Sequence, residues 1–229
     1  MKPIVAIIAM INGMIGGLIL VLPILAMQGG VIMSGLVIIV TGFFSFYSCY
    51  LCVIHLGNHS DLDKALVYHF NGSKIVKIIY DFLVFINLLF LLLLYYNLIV
   101  QQWEGLVPKS IANPICNAVA LVLLTMALNF FHFGAQLLGY GIISIIGYCI
   151  FLIWLVAAAP SGNNTIPLFG TGAVNMAASM GQAFAIQTFF IPVLRELPDS
   201  QNYVRYTLIA YAVGSTTYLY IAYAGSFGT

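Results

Sequence analysis

Charge is what this sequence has least of. Of its 229 residues only 6% are Asp, Glu, Lys or Arg, seven of them basic and six acidic. A soluble domain carries about 25%, so an ordinary water-soluble domain is excluded. The net charge of +1 comes without any basic cluster, which argues against a nucleic-acid partner. Cysteine is scarce as well. Cys49, Cys52, Cys116 and Cys149 all fall inside apolar runs. The Cys49-x-x-Cys52 pair lacks the βαβ surroundings of a redox motif, so the four read as small packing residues. No cleavable leader is expected: Lys2 precedes the first apolar run, but no small-residue cleavage site and polar mature chain come after it. His59, His69, Asp61 and Asp63 lack zinc spacing and read as a solvated loop, so no metal or other cofactor is expected. No nucleophile, base and orienting group converge, and an enzyme is not expected either.

What the chain has in abundance is apolar residue, 62% of the total, with a mean hydropathy of +1.07. Seven apolar runs approach or exceed the roughly 20 residues of a membrane-crossing helix. They lie at about 4–27, 31–56, 75–100, 112–131, 135–158, 176–195 and 203–226. The pattern predicts an all-α, polytopic, integral membrane protein, a single transmembrane domain over 1–229 surrounded by lipid. Nothing in the sequence selects one membrane over another.

Orientation can be read from the few charges. With the N-terminus inside, the inner segments hold Lys2, Lys64, Lys74, Lys77, Arg195 and Arg205, and the outer segments hold only Lys109. That asymmetry obeys the positive-inside rule, and the reverse topology breaks it. The inner segment Gly57 to Ser73 is the most polar, and Asp61 to Leu66 is expected to start a short interfacial helix. Lys77 and Asp81 stand one turn apart at the membrane edge, where they can pair. Asn87 and Asn97 lie deeper and can bond across helices, while Tyr95, Tyr96 and Trp103 suit an outer aromatic belt. Asn163-Asn164-Thr165, an N-glycosylation acceptor pattern, falls on the outside.

Two runs are interrupted. The first contains Asn12-Gly13-Met14-Ile15-Gly16-Gly17-Leu18 and then Pro23. Each glycine weakens a helix by about 1 kcal/mol relative to alanine, and proline removes a donor. Gly13 and Gly17 also form a G-x-x-x-G pair, which lets another helix approach closely. The sixth contains Gln182, Gln187 and Pro192. Its glutamines are costly in lipid unless they face protein or water. Pro192 leaves a carbonyl near Thr188 without a helical partner. The expected unwound windows are Gly13 to Leu18 and Ile186 to Phe190. Two interrupted spans, five apart, fit a five-helix repeat inverted across the membrane, and they point to a transporter site.

The wording of these segments resembles the amino acid/auxin permease family. Asn12-x-x-x-Gly16, Leu20-x-Leu22-Pro23 and Gln28-x-Gly30 are similar to that family's first helix. Ala183-Phe184 leading to Pro192 and Glu196-Leu197 is similar to its sixth, and Gly225-Ser226-Phe227-Gly228 to its end of helix seven. The resemblance spans nearly the whole chain, with its specific motifs in the first and sixth runs. It implies helices 1–7 of a leucine-transporter-type five-plus-five inverted-repeat fold, carrying a small-molecule amino acid coupled to H⁺ or Na⁺. By position it implies a substrate site at Asn12, Gly13, Gly16 and Gly17, together with Ala185, Ile186, Gln187, Thr188 and Phe189. Leu18 departs from the family, which usually has glycine there, and Gly17 stands beside it as the source of flexibility.

The family has roughly eleven helices and seven runs are found here. Two expectations result. The chain is a secondary amino-acid transporter or a portion of one, or it is a non-transporting membrane subunit that kept the scaffold and packs against other membrane subunits. If it ends naturally at Thr229, no transport by it alone is expected.

Overall fold

The structure, a computed structural model, describes residues 2–15, 17–55, 62–106, 119, 143, 146–147, 149–150, 153–154, 157, 167–185, 187–197 and 200–228. Among the described residues every regular element is helical and there is no strand. Two stretches, Val31–His55 and Ala173–Arg195, are long and apolar enough to cross a membrane.

The first run is three pieces: α1 (Pro3–Met14), a 3-10 turn (Gly17–Leu20) and α2 (Leu22–Gly29). Pro3 and Pro23 both sit in the first turn of their helices. There the missing N–H costs nothing, because it would have had no intrahelical acceptor. Pro23 therefore starts a helix rather than kinking one. The second run is α3 (Val31–His55), and the short helix α4 (Leu62–His69) comes next, over the stretch where Asp61 to Leu66 suggested one. The third run is α5 (Lys74–Leu106). The fourth and fifth runs lie mostly outside the described residues, as do His59, Asp61 and the Asn163 loop. Their described positions, 119, 143, 146–147, 149–150, 153–154 and 157, are helical. The sixth run is two helices, α6 (Ala173–Phe184) and α7 (Gln187–Arg195), and the seventh is α8 (Tyr203–Gly228).

Contacts divide the chain into two units, Met1–Ala65 with Gly139–Thr229, and Leu66–Leu138. In the first unit α8 packs against α1, α2 and α3. Helix α3 packs against α6 and α7, α2 against α6, and α1 against α7. The buried faces repeat at helical spacing: Ala6, Ala9, Met10 and Met14 on α1, and Met176, Met180 and Phe184 on α6. On α8 the buried stripe is Tyr203, Thr207, Tyr211, Gly214, Tyr218 and Ala222.

Helix α3 shows how close contact is achieved. Its packed side combines Val37 and Ile38 with the small residues Ser34, Gly35, Gly42 and Cys49. A Cβ on Gly35 would run into the Tyr223 hydroxyl, and one on Gly42 would stand 2.7 Å from Ser215 Oγ. Small residues of this kind let helix backbones approach closely. The opposite side carries Leu36, Ile39, Phe43 and Phe44, all exposed. This is the inverse of a soluble amphipathic helix, whose outward side is polar. In the second unit, α5 is 33 residues long. None of its described side chains is buried, and Ile75, Ile78, Phe82, Leu83, Phe85 and Phe90 stand exposed around it.

One backbone clasp joins the end of the first run to the approach of the sixth. Val31 N–H donates to the Pro167 carbonyl (3.0 Å) and Ile32 N–H to that of Leu168 (3.1 Å). Gly170 N–H donates to Gly29 (2.8 Å) and Gly172 N–H to Gln28 (3.0 Å). Gly30 has φ +81 and ψ 158, a region that is essentially glycine's alone. A Cβ on Gly170 would collide with the Gln28 carbonyl oxygen. The chains meet this closely only because neither side carries a side chain there.

Candidate functional site at two helix breaks

Helices α1 and α6 are each 12 residues long and end in the same way. Ile15, after α1, has φ −82 and ψ 72. Ala185, after α6, has φ −80 and ψ 58. Both values match an inverse γ-turn rather than a helix. A helix that stops leaves its last carbonyls without intrahelical donors. If buried, such a group must find a partner or cost about 1–3 kcal/mol.

Side chains from other helices supply those partners. Tyr218 on α8 donates its hydroxyl to the Met14 carbonyl, the last of α1. The Phe184 carbonyl, the last of α6, accepts from Ser45 Oγ on α3 (2.8 Å) and from the Tyr211 hydroxyl on α8 (3.3 Å). Tyr211 and Tyr218 are seven residues apart on α8, so two turns bring both hydroxyls to one side. Their rings pack on Phe184, with centroids 6.0 Å away for Tyr211 and 5.4 Å for Tyr218. Phe190 and Phe46 close in on Tyr211 at 5.4 Å and 6.0 Å. Phe184, Phe190 and Tyr218 are completely buried. The result is an aromatic wall behind both breaks.

The two breaks also meet in front of that wall, because α1 packs against α7. A Cβ on Gly13 would stand 2.8 Å from Phe189 Cε1, so the Phe189 ring takes the space a side chain would fill. Helix α1 brings the carbonyl end of its dipole to this place, and α7 brings its amide end. The two helix ends carry opposite partial charges, and that is the electrostatic character of this place.

The site residues expected from the sequence are distributed over both breaks. Asn12 and Gly13 are in the last turn of α1, Gly17 opens the 3-10 turn, and Ala185 is the break residue. Gln187, Thr188 and Phe189 form the first turn of α7. Gly16 and Ile186 lie outside the described residues. The unwound windows are therefore shifted from those expected. Gly13 and Met14 remain helical, and Gln187 to Phe190 are helical although Pro192 lies within α7. Pro192 removes only one bond in a helix of 9 residues. The interruption comes where Ser45 and Tyr211 take over the Phe184 carbonyl. Gly13 acts by admitting Phe189, which is the close-approach role of its G-x-x-x-G pair.

Tyr211, Tyr218 and Ser45 were not among the residues expected at the site. The signal for the tyrosines was present, a Tyr203, Thr207, Tyr211, Tyr218 stripe at helical spacing in the seventh run. Two apolar clefts of about 480 and 690 Å³ run along another side of α8, lined in part by Cys149, Ile153, Thr216 and Tyr220. Among the described residues, none of either break lines them. No protein-family model matches the chain, and no curated protein or solved structure does.

Proposed function

We propose that this chain is a multi-pass membrane protein acting as a secondary active transporter of amino acids, coupled to H⁺ or Na⁺. The substrate is held at the breaks of the first and sixth runs, by main-chain groups around Asn12 to Gly17 and Ala185 to Phe189. The fold proposed is the leucine-transporter type, as the resemblance to the amino acid/auxin permease family implies.

The observation that carries this reading is the matched pair of breaks. Pro3 and Ala173, Met14 and Phe184, Ile15 and Ala185 each stand 170 positions apart, and both helices stop in the same conformation. The partners are reciprocal. The run after the first interrupted run, α3, gives Ser45 to the second break, and the run after the second interrupted run, α8, gives Tyr218 to the first and Tyr211 to the second. Reciprocity of this kind suits two repeats of one design, and matched interruptions in two halves suit a transporter site. The apolar outward side of α3 supports a lipid surrounding, since large exposed apolar patches are rare on soluble monomers.

One observation favours the second reading, a non-transporting membrane subunit. The last carbonyls of α1 and α6 are already held by the chain's own hydroxyls, and Phe189 already fills the space at Gly13. A scaffold without a ligand would be built that way. Reconstitution of the natural protein into vesicles decides between the two. Saturable uptake of a labelled amino acid that depends on an imposed H⁺ or Na⁺ gradient supports the transporter. A folded protein without such uptake leaves the subunit reading.

A further inference from the structure

Helix α8 carries two kinds of hydroxyl. Thr207, Thr216 and Thr217 turn back on their own helix and donate to Tyr203, Ala212 and Val213 carbonyls. The tyrosines reach outward. Tyr203, Tyr211, Tyr218, Tyr220 and Tyr223 each donate to a carbonyl outside α8: Leu197, Phe184, Met14, Cys149 and Val31. A phenol sets its oxygen several ångströms further from the helix axis than a threonine does, on a rigid ring. Among these five, only Tyr211 and Tyr218 reach the residues at which α1 and α6 stop.

We infer that Tyr211 and Tyr218 are positioning residues, each of which sets the geometry of one break: Tyr218 that of the first run, and Tyr211 together with Ser45 that of the sixth. Tyr218 is fully buried and Tyr211 nearly so, and Phe184 packs on both rings, so neither hydroxyl is free to swing away. The main-chain groups at a break take their directions from the residue that ends the preceding helix. Fixing the Met14 and Phe184 carbonyls therefore fixes the residue that follows each, Ile15 in one case and Ala185 in the other. The two breaks are not held equally. Phe184 accepts from two hydroxyls on two different helices, whereas Tyr218 is the hydroxyl donor to Met14. Among the described residues one hydroxyl is thus seen at the end of α1 and two at the end of α6. The consequence for substrate affinity rests on the transporter reading; the consequence for the backbone does not.

The test is amide hydrogen exchange on the full protein in lipid nanodiscs, with Tyr220→Phe as the control because it removes the same kind of bond from the same helix. Tyr218→Phe is expected to raise exchange about fivefold to tenfold in peptides covering residues 15–22, the scale of one lost hydrogen bond, and to leave 185–190 unchanged. Tyr211→Phe keeps the Ser45 bond and folds; its smaller rise is confined to 185–190, and adding Ser45→Ala enlarges it there. Tyr220→Phe moves neither segment. Exchange that rises equally at both breaks in every variant, or at neither, overturns the assignment. Uptake separates this inference from the transport reading. Where the wild type transports, Tyr218→Phe raises the half-saturating substrate concentration about fivefold to tenfold and Tyr220→Phe does not. A wild type without uptake removes the transport reading, while the exchange pattern still decides the role of the tyrosines.

Discussion

Phe189 occupies the space that a side chain at Gly13 would need, with its Cε1 atom 2.8 Å from where the Gly13 Cβ would stand. The contact joins α1 to α7, and it makes residue 13 a gauge of how closely those helices lie. Phe189 is 36% exposed, so its ring can shift a little. Gly13→Ala also gains about 0.5–1 kcal/mol of helix propensity. The expected outcome is a thermal stability within about 1 kcal/mol of wild type, with uptake reduced. Gly13→Leu leaves no such escape and is expected to lose both, as read from melting temperature and labelled uptake.

The glycines of the clasp should behave differently from glycines elsewhere. Gly30→Ala forces a side chain into a glycine-only conformation and against Gly170 N and Pro167 O, each 2.8 Å from the new Cβ. A loss of about 2–3 kcal/mol is expected. Gly181, in α6, has nothing within 4 Å of its Cβ position. Gly181→Ala should be neutral or stabilise by about 0.5–1 kcal/mol. Unfolding midpoints in one detergent rank the pair, and equal values for the two would mean that close approach is not what these glycines serve.

Phe44 tests the proposed lipid-facing side of α3. It lies near the middle of that helix and is 65% exposed. Arginine near the centre of a membrane helix costs about 2.5–3.5 kcal/mol for insertion, whereas on a water-facing surface it costs almost nothing. Phe44→Arg is expected to lower the fraction of chain integrated into microsomes. Undiminished integration would argue that this side does not meet lipid.

Orientation is tested by single cysteines placed at Lys64 and Lys109 in a chain freed of its own cysteines. The charge asymmetry expects a reagent confined to the outside to label position 109 and spare 64. The opposite pattern inverts the topology.

Much of the helical layout was legible because it rests on local chemistry. The apolar runs read directly as α3, α5 and α8, and Pro23 and the glycines marked the first interruption. The exact break in the sixth run was not legible. Pro192 drew the expectation toward Ile186 to Phe190, yet the interruption lies at Ala185, where nothing in the local sequence is unusual. The carbonyl exposed there is held by Tyr211, 27 residues after Phe184, and by Ser45, 139 residues before it. Hydroxyl-to-carbonyl pairs of that separation leave no periodicity to read. The same holds for Gly170 and Gly172, whose small size answers to Gln28 across the clasp.

The pairing of Met14 with Tyr218 spans 204 positions, and that sets an order of events during synthesis. Chains emerge at about 5–20 residues per second, so the first run is complete roughly 10–40 s before the side chain that holds its break has been made. Through that interval the Met14 carbonyl must be served by water or by the insertion machinery, and the first run cannot hold its final shape. The first run, made long before α8, cannot be finished until α8 has followed it.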